Sequence, residues 1–143
     1  MKPKTIIWFD WLFWISLVLG LVSLAVSWPT LAADLEGDPD LQTIGIGAVI
    51  GFVAVGNSIS ILLWFFTSQK ASNVARWIYS VLAGFGVLAA FVDWDIMSML
   101  EIVLGLILAA MSLATIIVLF LPPSNAWFRN RGVGGPEDIK AFE

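Results

Sequence analysis

The sequence predicts an all-α, integral membrane four-helix bundle with both termini cytoplasmic. Three features lead to this. The chain of 143 residues is 59% hydrophobic and 13% charged, with a mean hydropathy of +0.93; a soluble domain carries about 45–50% apolar and about 25% charged residues. Four apolar stretches, Trp11–Trp28, Ile44–Phe66, Trp77–Val92 and Ile102–Leu121, are separated by polar segments. A chain crossing four times then leaves every Lys and Arg on one side.

The elements follow in chain order. A spanning helix needs roughly 20 apolar residues, within a range of about 17–25. The first helix, about residues 6–28, reaches that length once Trp8 and Phe9 join the apolar run, and Pro29 is expected to end it, because proline removes a backbone donor and clashes with the preceding turn. Residues 29–43 then form an acidic outer loop with Asp34, Glu36, Asp38 and Asp40. The second helix covers about 44–66. The polar turn Thr67-Ser68-Gln69-Lys70-Ala71-Ser72-Asn73 leads to the third, about 75–92, which is the shortest; Arg76 at its start can extend its charged head toward the surface. Asp93-Trp94-Asp95 makes a tight turn into the fourth helix, about 96–121, which Pro122-Pro123 closes. Residues 1–121 thus form the membrane domain. Residues 122–143 form a cytoplasmic tail, with an N-cap at Ser124 and a short interfacial segment whose Trp127 and Phe128 face the bilayer.

Charge sets the orientation. Lys2, Lys4, Lys70, Arg76, Arg129, Arg131 and Lys140 share one side, while Asp34, Glu36, Asp38, Asp40, Asp93 and Asp95 occupy the other. Basic residues near helix ends stay cytoplasmic, so the acidic loop 29–43 is extracytoplasmic. The opening residues also resemble a secretory signal with small residues near Ala32 and Ala33, but the apolar run exceeds the usual ~7–15 residues and begins with Asp10, so a retained helix is expected.

Lipid gives helices no hydrophobic reason to associate; small residues and interhelical hydrogen bonds supply it. Spacings of three and four place such residues on one helix face: Ser16, Gly20, Ser23 and Ser27 in the first helix, Gly47, Gly51, Ala54 and Ser58 in the second, Ala83, Gly86 and Ala90 in the third, and Ser98, Glu101, Gly105, Ala109 and Ser112 in the fourth. The alternation favours crossings near +20°. Seven of the eight Trp cluster at helix ends, as in an aromatic belt.

Chemistry-bearing residues are few. The chain has no Cys and no His, which removes thiol catalysis, Cys/His zinc sites and imidazole acid–base chemistry. Its net charge of −4 argues against a nucleic-acid partner. "GIGAVIG" lies inside an apolar run and reads as packing rather than a phosphate loop. The acids of "DLEGDPD" are spaced like an EF-hand, but Pro39 stands where the loop needs Gly, and Gly45 where it needs Glu. A solvated negative cap is the better reading. Glu101, with Asp95 nearby, is the candidate ion or proton site, since an intramembrane acid is a functional hypothesis by default; the alternative is a hydrated acid at the outer boundary. Asn57 offers an interhelical hydrogen bond or, less favoured, a solute ligand. Asp10 is expected to pair with Lys70, Arg76 or Arg129.

The segments "IIWFDWLFW", "LLWFFTSQKASNVARWI" and "LFLPPSNAWFR" resemble a group of small, uncharacterised four-helix bacterial inner-membrane proteins with a cytoplasmic "SxxxSxVARWI" turn and a C-terminal "AWF". The resemblance implies a bacterial inner (cytoplasmic) membrane and brings no activity. The expected function is therefore non-catalytic: a structural or interaction protein, an accessory subunit of a larger membrane complex, with no cofactor, whose partners are the lipid bilayer and another membrane protein or a second copy. The alternative is a small homo-oligomeric transporter or channel using Glu101.

Overall fold

A computed structural model describes residues 2–37, 39–92 and 97–130; the side chains of residues 34, 36 and 39–44 fall outside that description. The described residues form five helices and no strands: α1 (Lys4–Gly37), α2 (Pro39–Ser68), α3 (Asn73–Ala89), α4 (Met99–Phe120) and α5 (Pro122–Arg129). Three segments are long and apolar enough to cross a membrane, Lys4–Ala33, Gly45–Ser68 and Met99–Phe120, and α3 is apolar but shorter. At 1.5 Å per residue the 17 residues of α3 span about 25 Å, against a hydrocarbon core of about 30 Å.

Pro29 does not end α1; it lies inside a 34-residue helix that runs on through the acidic segment to Gly37. Proline's fixed φ suits a helix, and its cost is one lost hydrogen bond and a crowded carbonyl four residues back. The expected loop 29–43 is therefore mostly helical, and α2 resumes at Pro39. The bend comes at Gly45, whose φ of 71° and ψ of 158° are open essentially only to glycine. Gly45 thus separates the short start of α2 from its apolar length.

α1 packs against α2 and α4, and α3 packs against the same two, so the four longer helices close a ring. The best-packed region lies at one end of it. Ile6 and Phe9 of α1, Ala71 of the α2–α3 turn, Leu119 of α4 and Trp127 and Phe128 of α5 form a buried cluster. Its aromatic rings interlock: Phe13 stacks on Trp64 at 5.7 Å and 14°, and Phe9 meets Tyr79 edge-on at 5.3 Å. Such pairs add to area burial because ring faces and edges carry opposite partial charge. Ala71 takes a left-handed φ of 48° where glycine is usual, and the Ser72 amide bonds the Phe66 carbonyl at 3.0 Å across it. The methyl that strains this turn is itself buried in the cluster.

α5 departs from the expected interfacial tail. Pro122 starts a new helix capped by Leu121, not Ser124. Ser124 is buried; its hydroxyl donates to the Val118 carbonyl at 2.7 Å and lies 2.8 Å from Thr5 Oγ1. Those bonds pin α5 back onto α1 and α4, which turns Trp127 and Phe128 into the core rather than toward lipid. The other end is looser. Most large apolar side chains on the outer faces are exposed, and no residue of the most apolar stretch of α2 is buried.

Candidate functional site

Within the ring lies a partly open cavity of about 260 Å³, to which all four helices contribute. Phe13, Leu17, Leu63, Leu82 and Leu108 supply its apolar wall, and Ser16, Asn57, Ser60, Tyr79 and Ser112 its polar groups. A cleft of about 460 Å³ between α1 and α2 adjoins it through Ser16, Leu17, Asn57 and Ser60, and Gly20 and Gly56 widen that cleft. A Cβ added at either glycine would meet no atom within 4 Å. Phe52, 84% exposed, stands at the lip.

Most of the polar lining is satisfied locally. Asn57 Nδ2 donates to the Val53 carbonyl of its own helix at 2.8 Å, and Ser60 Oγ to the Gly56 carbonyl at 2.9 Å. Back-bonding to the residue four earlier is the usual refuge of Ser in an apolar helix. The interhelical bond expected of Asn57 is thus replaced by an intrahelical one. Ser16 Oγ makes the cross-helix contact instead, with Met111 Sδ at 3.8 Å. The lining presents hydroxyls, a carboxamide and a phenol, with no carboxylate, Lys or Arg. Such a surface suits water or a neutral amphiphile.

Glu101 sits elsewhere. It occupies the first turn of α4 in a reciprocal capping box: the Ser98 amide donates to Glu101 Oε2 at 2.7 Å, and the Glu101 amide to Ser98 Oγ at 3.3 Å. The nearest cavity residue of α4, Leu108, lies seven positions on, about 10 Å along the axis. Glu101 and Asn57 are therefore not brought together. Asp95, the third member of that expected group, lies outside the described residues, as do Asp93 and the acidic side chains at 34, 36, 38 and 40.

The small-residue stripes divide. Ser16, Gly20 and Ser23 of α1, Ala83 of α3 and its C-cap Ala90, and Gly105, Ala109 and Ser112 of α4 are half-buried or buried, while Gly86 is exposed. On α2 the stripe faces out: Gly47, Gly51, Ala54 and Ser58 are all exposed. The face that α2 turns inward is Val49, Val53, Asn57, Ser60 and Trp64.

At the packed end, Asp10 pairs with neither Lys70, Arg76 nor Arg129. Its Oδ2 is 3.3 Å from Lys2 Nζ, and its Oδ1 accepts from Trp64 Nε1 at 2.8 Å. Lys2 Nζ also donates to Ser68 Oγ at 3.0 Å. Arg76 is buried and donates to Asn125 Oδ1 at 2.6 Å. Trp8, Trp11 and Trp77 are exposed at this end, as an aromatic belt requires, whereas Trp127 is in the core and Trp64 is half-buried. Sequence reasoning missed Tyr79 and Asn125. The single Tyr of the chain, set in an apolar helix, was a usable signal for the first; Asn125 carried none.

No known protein family, curated protein or solved structure matches the chain. The described residues define the class: all-helical, with three helices long and apolar enough to cross a membrane.

Proposed function

We propose that the chain is a non-catalytic, four-helix protein of a bacterial inner membrane, with cytoplasmic termini, that works by associating with another membrane helix as an accessory subunit or with a second copy of itself. The carrying observation is the outward stripe of α2. Most small residues of the other three stripes are half-buried or buried, while Gly47, Gly51, Ala54 and Ser58 are left on an exposed face. In lipid, a lane of small residues lets a second backbone approach closely. The orientation is supported by Lys2, Lys4, Lys70, Arg76 and Arg129, which border the packed end. In this reading α3 is the fourth crossing.

The test is recovery of partners from mild detergent with Gly51→Leu, which fills the lane without touching the interior. Wild type should retain a partner in fixed stoichiometry, and Gly51→Leu should lose it about tenfold, equivalent to about 1.4 kcal/mol. Leu113→Phe, on an exposed face of α4, should change nothing. A wild-type chain that runs alone, and a Gly51→Leu variant indistinguishable from it, would end the proposal. A second reading, a small homo-oligomeric transporter or channel, draws on the cavity at Asn57 and Tyr79, with Glu101 about 10 Å from its α4 wall. Proteoliposomes of wild type that carry no flux would exclude it.

A further inference from the structure

Arg76 is 5% exposed, yet among the described residues no carboxylate faces it; the ion pair there joins Lys2 and Asp10. Its guanidinium carbon lies 4.0 Å from the centroid of Phe120 and 4.9 Å from that of Phe128. Nη2 donates to Asn125 Oδ1, and Nε is buried with no acceptor. A guanidinium cannot shed its proton. Buried charges are therefore paired, and an unpaired one is costly. Two ring contacts and one neutral acceptor offset part of that cost and leave the charge itself unanswered.

The missing charge has a place to sit. Beside Arg76 opens a recess of about 300 Å³ lined by Asn73, Arg76, Asn125, Phe128 and Arg129. Arg129 is exposed in the last turn of α5. Asn73 begins α3, where Ser72 caps the Ala75 amide and the amides of Asn73 and Val74 have no helical acceptor. Two arginines, two asparagines and the start of a 17-residue helix with no acid in its first turn line the recess. Arginine forks and helix N-termini both suit the oxygens of a phosphate. The recess also lies where α2 and α4 end at Ser68 and Phe120, the level of lipid headgroups for a chain that crosses the bilayer.

We propose that this recess binds a phosphate group, carried by the headgroup of an anionic phospholipid. The phosphate chemistry stands on the recess; the lipid source rests on the membrane reading above. The full chain, purified in an uncharged detergent, is titrated with short-chain phosphatidylglycerol, short-chain phosphatidylcholine and inorganic phosphate. Retained ligand is read by native mass spectrometry and thermal midpoint. One phosphatidylglycerol per chain should be kept in preference to phosphatidylcholine, whose choline meets two arginines. Arg76→Gln should lower retention tenfold or more. Arg129→Gln, which leaves the core intact, should lower it several-fold and carries the test if Arg76→Gln fails to fold. Lys4→Gln, exposed at the same end, should bind as wild type. Saturable inorganic phosphate without lipid preference would support the recess and move its source to solution, whatever alkaline extraction says of membrane insertion. Wild-type binding of neither probe, or unchanged binding in both arginine variants, would overturn the proposal. So would binding that appears only after Glu137→Gln with Asp138→Asn, the adjacent acids that follow Pro136 in the sequence and lie outside the described residues, which would give the recess to the chain's own carboxylates.

Discussion

Asp10 shows how much one side chain decides at the packed end. It joins the start of α1 to the end of α2 by taking the Trp64 indole N–H on one oxygen and Lys2 on the other. The side chains of Lys2 and Asp10 are 28% and 22% exposed, so their ion pair alone is worth about 0–1 kcal/mol. The indole bond matters more, because Trp64 also stacks on Phe13 and its polar atom would lose its acceptor. Asp10→Ala should therefore cost about 1–3 kcal/mol of stability. Asp10→Asn keeps an oxygen for Trp64 and should cost less than half as much. Thermal unfolding of both variants in one detergent checks this; equal losses would mean that Lys2, not Trp64, is the partner that counts. Sequence placed Asp10 near the inner surface but could not pick its partner. Four segments bring cations to the same end, and only the fold shows that Lys2, eight residues away, reaches it first.

At the scale of elements, the α4 capping box makes a prediction that separates structure from ion chemistry at Glu101. Ser98 and Glu101 exchange bonds, and an amide can replace the carboxylate in a capping box. Ser98→Ala should thus lower stability by about 1 kcal/mol, while Glu101→Gln should lower it by about half that or less, measured by thermal unfolding. A much larger loss in Glu101→Gln would show that the charge itself is needed there. The existence of the helices was legible because apolar length and polar interruptions are local features. Their ends were not. Pro29 fits inside α1 because a helix loses only one bond to it, and the helix continues for eight more residues. Trp127 and Phe128 carry the same pattern whether they meet lipid or protein; the Ser124 bonds to Val118 and toward Thr5 decide for protein. The stripes were legible as faces, but which way α2 turns its stripe depends on Asn57, Ser60 and Trp64 occupying the inner side.

The whole molecule is sorted along its length. Its tight aromatic core, its described cations and most polar ties between elements share one end, while the apolar lengths expose Phe52, Val55, Leu62, Phe85 and Leu88. Soluble monomers rarely expose contiguous apolar surface on this scale, and a bilayer makes it favourable. α1, at 34 residues and about 51 Å, outruns a hydrocarbon core of about 30 Å, so a chain that crosses as proposed would project the far end of α1 from the opposite face. That end carries Gly37, whereas the α2–α3 turn carries exposed Gln69 beside Lys70. Under the proposed membrane reading, the positive-inside rule puts the Lys70 end on the cytoplasmic face. The chain has no cysteine, so single thiols can be placed without background. In intact cells an impermeant thiol reagent should modify Gly37→Cys and leave Gln69→Cys untouched until the membrane is opened. Labelling of both before permeabilisation would mean that the apolar lengths do not cross. Labelling of Gln69→Cys alone would invert the protein and put the arginine recess on the outer leaflet.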